Sequence, residues 1–294
     1  MTSLKRFIRI FDVHISTNKI KQIMLSFSSC KINIGLNIIN KRNDAYHNIE
    51  TIFYPITFLK DAIEVVMSSE SVDSFVFTGI NIDGKSEDNL CIKTIKLLRK
   101  HYTFPNITLY LHKNVPMGAG LGGGSANVAC IINMVNEMFE LDISEEKRRE
   151  LASTLGSDCA FFVNPQPSIG EGRGEILSPI NISLQGLRIV IVKPPIHVST
   201  AMAYSSVTPM QQLTSLKDIL LTTKVENWKN QIHNDFEHTV FKLFPEIEKI
   251  KNDLYIKGAI YAQMSGSGSA VFGIFDKEIE LDFPEDYLVI DGVL

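Results

Sequence analysis

The chain has 294 residues, 45% of them hydrophobic and 21% charged, with a formal net charge of -4, which suits a globular protein of one large domain or two of average size and excludes a fibre or a structureless tail. Twenty-nine basic residues against 33 acidic ones leave no excess positive charge for sequence-independent phosphate-backbone binding, so nucleic acid is not an expected partner. No apolar run reaches the roughly 18 to 20 residues that a bilayer span needs, and the protein is expected to be cytoplasmic with no membrane contact.

Residues 1–23 carry Lys5, Arg6, Arg9, Lys19 and Lys21 against the single acid Asp12, without the small-residue cleavage site of a secretory signal. They are expected to be a non-native or disordered leader without function, placed there by a start codon set too far upstream. From Leu25 the alternation in LSFSSCKINIGLNII predicts a strand, followed by the polar connector NKRNDAYHNIE. Further strands are predicted in TIFYPITFLKDAIEVVMSS, VDSFVFTGI and ITLYLHKNV, with a helix over NLCIKTIKLLRKHY between the last two. VACIINMVNEMFEL repeats apolar residues at spacings of three and four, as a largely buried helix does. Ser144 opens a second helix through EEKRRELASTLG, which delivers the turn GSDCAFFV. The turn-rich IGEGRGE marks a domain junction near residue 175, giving units at 24–175 and 176–294. Beyond it come a strand in LRIVIVKPP, a helix around residues 234–243 and a small-residue loop inside GAIYAQMSGSGSAVFGIF. Cys30, Cys91, Cys130 and Cys159 lie far apart with no CxxC pair, as expected of reduced packing residues.

The strongest local signal is PMGAGLGGGSANVAC, where five glycines between residues 116 and 130 separate a predicted strand from a predicted helix. Glycine lets backbone N–H groups approach a ligand without Cβ obstruction, and the helix N-terminus that follows favours phosphate. A Walker A loop is excluded because no Lys follows the glycines. Gly118, Gly120 and Gly123 satisfy GxGxxG, and Asp142 falls near the place of a ribose-binding acid. A dinucleotide fold, however, needs the helix to lead into a second parallel strand, and here the charged helix EEKRRELASTL follows instead.

PMGAGLGGGS resembles the phosphate loop of the GHMP small-molecule kinases. Together with CKINIGLNI, RNDAYHNIETIF, LGSDCAFF and MSGSGSAVFGIF, in that order, the chain from Leu25 to Phe275 is similar to one branch of them, the 4-diphosphocytidyl-2-C-methyl-D-erythritol kinases. The resemblance implies a mixed α/β (α+β) fold in two domains, an N-terminal ribosomal-protein-S5-like ATP-binding domain and a C-terminal substrate domain. It also implies ATP-dependent phosphorylation of the 2-hydroxyl of a cytidine-diphosphate-linked methylerythritol, a step towards isoprenoid precursors, with ATP and Mg2+ as cofactors. The expected assembly is a monomer or weak homodimer. Another GHMP kinase, of the homoserine or mevalonate type, and a catalytically silent nucleotide sensor on the same fold stay open as alternatives.

By the same resemblance, Asp158 is the catalytic aspartate and Lys31 the catalytic lysine. On the residues alone, Asp158 after Gly-Ser reads as a turn residue and Lys31 as a snorkelling strand lysine. Pro116, Met117, Gly118, Ala119, Gly120, Leu121, Gly122, Gly123, Gly124, Ser125 and Ala126 are implied to hold ATP, with Ser125 assisting the metal. Asn33, on the same strand face as Lys31, is implied to hydrogen-bond the methylerythritol part. Tyr46 and His47 are implied to read the cytidine, with Ala45 where the family usually has Gly. Thr200, which also suits a helix N-cap, is implied to touch the methylerythritol side, while Tyr204 stacks on cytosine opposite Tyr46. Ser265 to Ser269 are implied to support the phosphate loop. Asn127 replaces an acid that the family commonly carries beside the loop, which predicts a weaker Mg2+ dependence of affinity.

Overall fold

The computed structural model describes residues 22–294 except 83–84 and 210–213. The leader, apart from its last two residues, therefore lies outside the described residues, and Ile23 already pairs with Val66 in the first sheet.

That sheet is built on a long antiparallel hairpin of β1 (Ile23–Lys41) and β2 (His47–Met67). The expected polar connector shrinks to residues 42–46, because Lys41 already faces His47 across the ladder and Asn48 Nδ2 donates to Asn40 Oδ1 at 2.9 Å. The polar composition there marks the wet end of a hairpin rather than a loop. The other edge of β2 is shared. Its C-terminal part pairs with β4 (Ile107–Lys113), which carries β3 (Ser74–Gly79) in parallel. Its N-terminal part pairs with β5 (Ser168–Gly172), which carries β6 (Ile176–Pro179). The segment IGEGRGE is thus the tip of a β5–β6 hairpin in the first sheet, and its glycines hide the alternation that would have shown it.

Three helices, α1 (Leu90–His101), α2 (Gly123–Met138) and α3 (Glu145–Ser153), share one apolar cluster with this sheet, including Ile63, Val65, Leu109 and Leu111. In α2, Val128, Ala129, Ile131, Ile132 and Val135 are all fully buried, as their spacing predicts. Ser144 caps α3 through the Lys147 N–H at 3.2 Å, with Glu145 and Glu146 in the first turn complementing the helix dipole.

The second sheet is antiparallel in the order β10 (Leu288–Val293), β7 (Arg188–Lys193), β9 (Val271–Phe275), β8 (Tyr261–Met264). The helices α4 (Thr200–Tyr204), α5 (Leu216–Thr222), α6 (Phe236–Leu243) and α7 (Pro245–Ile256) accompany it. Alternation along the strands puts Tyr261, Phe272 and Ile274 in one cluster with Ile32, Ile34 and Ile56 of the first sheet, while Met264, Val271 and Phe275 join Ile247 and Leu254 of α7. One face of β1 is consumed in joining the sheets, which leaves the side chains of Lys31 and Asn33 to the other.

All four cysteines are free thiols. Burial pushes Cys30, Cys91 and Cys159 up to about 12 and Cys130 to about 11, so the reactive thiolate is suppressed. Iodoacetamide at pH 8 is expected to leave the native chain unlabelled by mass spectrometry and to add four labels once it is unfolded in urea. Rapid native labelling of Cys30 or Cys159 would show that the core around them is open.

Candidate active site

The glycine loop begins where β4 ends, and a buried ion pair fixes that exit. Lys113 Nζ lies 2.5 Å from Asp61 Oδ2, with side chains only 2% and 0% exposed. The second carboxylate oxygen accepts the N–H groups of Asn114 and Val115, each at 2.7 Å. Removing either partner would strand a buried charge, a loss of roughly 3 to 5 kcal/mol in comparable sites.

Beyond it, Gly120 (φ +73°) approaches the third loop so closely that a Cβ would lie 1.8 Å from the Ser265 carbonyl oxygen. Gly122 (φ +70°) is the N-cap of α2, makes no side-chain cap, and would put a Cβ 3.1 Å from Lys31 Cε. The N–H groups of Gly123, Gly124 and Ser125 therefore begin a helix without intrahelical partners, the arrangement that binds anions. Ser265 Oγ donates to the Gly120 carbonyl at 2.9 Å and accepts the Asn33 N–H at 3.1 Å, while the N–H groups of Ser269 and Ala270 reach the carbonyls of Gly118 and Ala119. The expected support of the glycine loop by residues 265–269 has this physical form.

Lys31 is 2% exposed. Its ammonium donates to Asn33 Oδ1 at 2.5 Å and to the Gly120 carbonyl at 2.8 Å, and it stands 3.3 Å from Asp158 Oδ2. Its own N–H donates to the Leu121 carbonyl at 2.9 Å. Asp158 sits in the 3₁₀ turn Ser157–Val163, anchored by the buried Phe161 and Phe162, and its side chain is 30% exposed to the cleft. A weak 3.5 Å contact from Ser157 Oγ is its other polar partner, so carboxylate lone pairs remain for a hydroxyl. The other donor side of Asn33 is engaged, Nδ2 donating to Thr51 Oγ1 at 2.9 Å.

These groups line a cleft of about 620 Å3 that also takes in Thr200 and Tyr204 from the second half of the chain. Thr200 is the first residue of α4, but the cap is Ser199, whose Oγ accepts the Met202 N–H at 3.2 Å. His47, not Tyr46, faces Tyr204, with ring centroids 4.7 Å apart and planes 14° apart. Burial, then Lys41, lowers the pKa of His47, which favours the neutral ring in that stack. Tyr204 meets Phe236 edge-on at 4.7 Å, and burial, with the Asp158 charge second, pushes its phenol up to about 12. Tyr46 is 56% exposed, with the Arg173 guanidinium 5.0 Å above its ring.

A second recess of about 480 Å3 opens beside the loop, sharing Leu90, Met117 and Gly124 with the cleft and adding Phe77, Ile82 and Lys113. Phe77, Ile82 and Lys113 were not singled out by sequence reasoning, because they come from separate elements and carry no motif. Asn127 lines this recess rather than the cleft, 2% exposed and accepting the Ser28 hydroxyl at 2.5 Å. Ser125 does line the cleft. Among the described residues no three His, Cys, Asp or Glu side chains converge on a metal.

Residues 89–165 match the GHMP kinases N terminal domain and residues 220–283 the GHMP kinases C terminal family, and fold and site together define an ATP-dependent GHMP small-molecule kinase. The chain is 49% identical to 4-diphosphocytidyl-2-C-methyl-D-erythritol kinase of Bacteroides fragilis over 257 residues, 87% of this chain and 93% of that one. It is 47% identical to the Parabacteroides distasonis protein of the same name over 92% of this chain and 98% of that one. A solved 4-(cytidine 5'-diphospho)-2C-methyl-D-erythritol kinase superposes with TM-score 0.71 at 28% identity, covering 85% of this chain and 90% of that one. Homoserine kinase from Cytophaga hutchinsonii shares the fold, with TM-score 0.71 at 14% identity over 96% of this chain and 98% of that one. The chain belongs to the 4-diphosphocytidyl-2-C-methyl-D-erythritol kinase family.

Because the Asp158 side chain is 30% exposed and asparagine keeps an oxygen acceptor beside Lys31, Asp158→Asn is expected to lower kcat by about 10²- to 10⁴-fold with a smaller loss of thermal stability than removal of the fully buried Asp61. Retention of more than a tenth of wild-type kcat would remove Asp158 from the proton-accepting role.

Proposed function

We propose that this protein transfers the γ-phosphoryl group of ATP to the 2-hydroxyl of 4-diphosphocytidyl-2-C-methyl-D-erythritol, in the non-mevalonate route to isoprenoid precursors. The observation that carries the reading is the Lys31–Asp158 pair, 3.3 Å apart, set between an anion-binding loop and an aromatic cluster in one cleft. The adenine occupies the recess lined by Phe77, Ile82 and Leu90, and the phosphates lie along residues 116–126 against the first turn of α2.

Phosphoryl transfer asks the protein mainly for position and charge. Asp158 accepts the proton of the attacking hydroxyl, and Lys31 together with the N–H groups of Gly123 to Ser125 balances charge on the transferring group. Ser125, which lines the cleft, would hold Mg2+, and that ion would supply neutralisation of phosphate charge. Asn33, through its remaining amide hydrogen, and Thr200 orient the methylerythritol part. The 4.7 Å His47–Tyr204 stack leaves no space for a base between the two rings. The cytosine therefore displaces the His47 ring, stacking between Tyr46 and Tyr204 while His47 moves to the base edge, one aromatic contact replacing another.

In this reading residues 24–175 bind the nucleotide and 176–294 complete the substrate side, although β6 belongs to the first sheet by its pairing. The chain acts in the cytoplasm as a monomer or weak homodimer, and among the described residues no helix is long and apolar enough to cross a membrane.

The test is ADP release by the purified protein with ATP and Mg2+, comparing the cytidine-diphosphate substrate with methylerythritol phosphate, homoserine and mevalonate. Turnover with the cytidine compound alone is expected. Turnover with homoserine or mevalonate, or ATP binding with no turnover on any of the four, would overturn the assignment.

A further inference from the structure

The hairpin tip between β5 and β6 brings an arginine to the wall of the cleft. Gly172 (φ +68°) and Gly174 (φ +112°) flank Arg173, and the turn is closed by the Gly174 N–H on the Glu171 carbonyl at 2.9 Å. Glu175 accepts the Arg173 backbone N–H at 2.6 Å, so the turn is fastened through its main chain. The strand leading into it pairs with β2, Gly172 facing Ile49, which gives the tip a rigid base.

The side chain, by contrast, is barely spent. Its Nε meets Glu175 Oε1 at 3.5 Å, the guanidinium lies 5.0 Å from the Tyr46 ring centroid, and Nη1 and Nη2 have no partner among the described residues. Lys31 and Arg173 are the lysine and arginine that line this cleft, and the Lys31 ammonium is already shared among Asn33, Gly120 and Asp158. Beyond the N–H groups at the start of α2, Arg173 offers uncommitted guanidinium donors to a further anion in the cleft.

Position says which anion. A Cβ on Gly174 would stand 3.6 Å from Asp158 Oδ1, so the tip lies beside the acceptor of the hydroxyl proton at one end, and the Arg173 guanidinium lies over Tyr46 at the other. Arg173 thus stands between Tyr46 and Asp158, where a substrate with its pyrimidine nucleoside at the first and its alcohol at the second would carry its linking diphosphate. A planar fork of N–H donors matches phosphate oxygens in a way a lysine does not. We propose that Arg173 binds the diphosphate of the pyrimidine-nucleotide substrate and so selects a nucleoside-diphosphate alcohol over a smaller alcohol. This inference rests on the reading of the substrate given above.

Calorimetry with the nucleotide site filled by a non-hydrolysable ATP analogue tests it, titrating cytidine and CDP into the wild-type protein, Arg173→Gln and Arg173→Lys. The wild type is expected to bind CDP more tightly than cytidine by on the order of 10- to 100-fold, the worth of charge-assisted hydrogen bonds. Arg173→Gln is expected to lose that preference while holding cytidine within about threefold, which also shows that the variant folds, and Arg173→Lys to keep part of it. An unchanged CDP preference in Arg173→Gln, or a loss of affinity for the ATP analogue instead, would overturn the proposal while leaving the substrate assignment standing. A wild-type protein that binds neither cytidine nor CDP would overturn both.

Discussion

A buried ammonium without acceptors costs several kcal/mol, and the site is organised around avoiding that cost at Lys31. The cation lies under the first sheet, and its acceptors come from separate stretches of chain: Asn33 two residues on, the Gly120 carbonyl in the glycine loop, and Asp158 in the turn after α3. None of these can satisfy the charge alone. Strand, loop and turn must meet before the charge is settled, so the groups that handle phosphate, proton and alcohol come together as a condition of folding. The same cation then faces the transferring group, which makes the structural requirement and the chemical one a single requirement.

Around this centre the supporting contacts act by removing freedom. The Asp61 carboxylate fixes the exit of β4 through Lys113 and the N–H groups of Asn114 and Val115, so the glycine loop starts from a defined point. Ser265 holds Gly120 from the other side. Gly120 is glycine because backbone meets backbone there, and Gly118, Gly122 and Gly123 because the side chains of His197, Phe162 and Val115 leave no room for a Cβ, and not because the loop must be loose. A helix start with unpaired N–H groups is thereby held in place for phosphate before the ligand arrives, which is the preorganisation that electrostatic catalysis requires.

Much of this was legible in the sequence, and the parts that were not share a cause. Alternation in β1 and helical spacing in α2 showed both elements, and a glycine run between strand and helix pointed to anion binding before any fold was known. Lys31 and Asp158 looked ordinary as single residues, since a strand lysine and a turn aspartate are common; only the ordered series of motifs by family resemblance marked them. The β5–β6 hairpin was hidden because glycine carries no side-chain alternation, and the same glycines concealed Arg173 as a candidate for the cleft. The stack of His47 on Tyr204 joins residues more than 150 positions apart, and no periodicity reports a contact of that kind. Asn127 is adjacent to the loop in sequence but turned by the helix towards Ser28, a reminder that neighbours along α2 face different cavities.

The central claim is that the Lys31 ammonium holds the phosphate loop in its binding conformation as well as facing the reaction. Hydrogen–deuterium exchange of the peptide spanning residues 116–126, compared between the wild-type protein and Lys31→Met, tests this most directly, since methionine fills the same space without the charge. The account predicts markedly faster exchange in that peptide, with the peptides of α7 and β9 unchanged. Identical exchange across residues 116–126 would contradict it, and would confine Lys31 to a role in the chemical step.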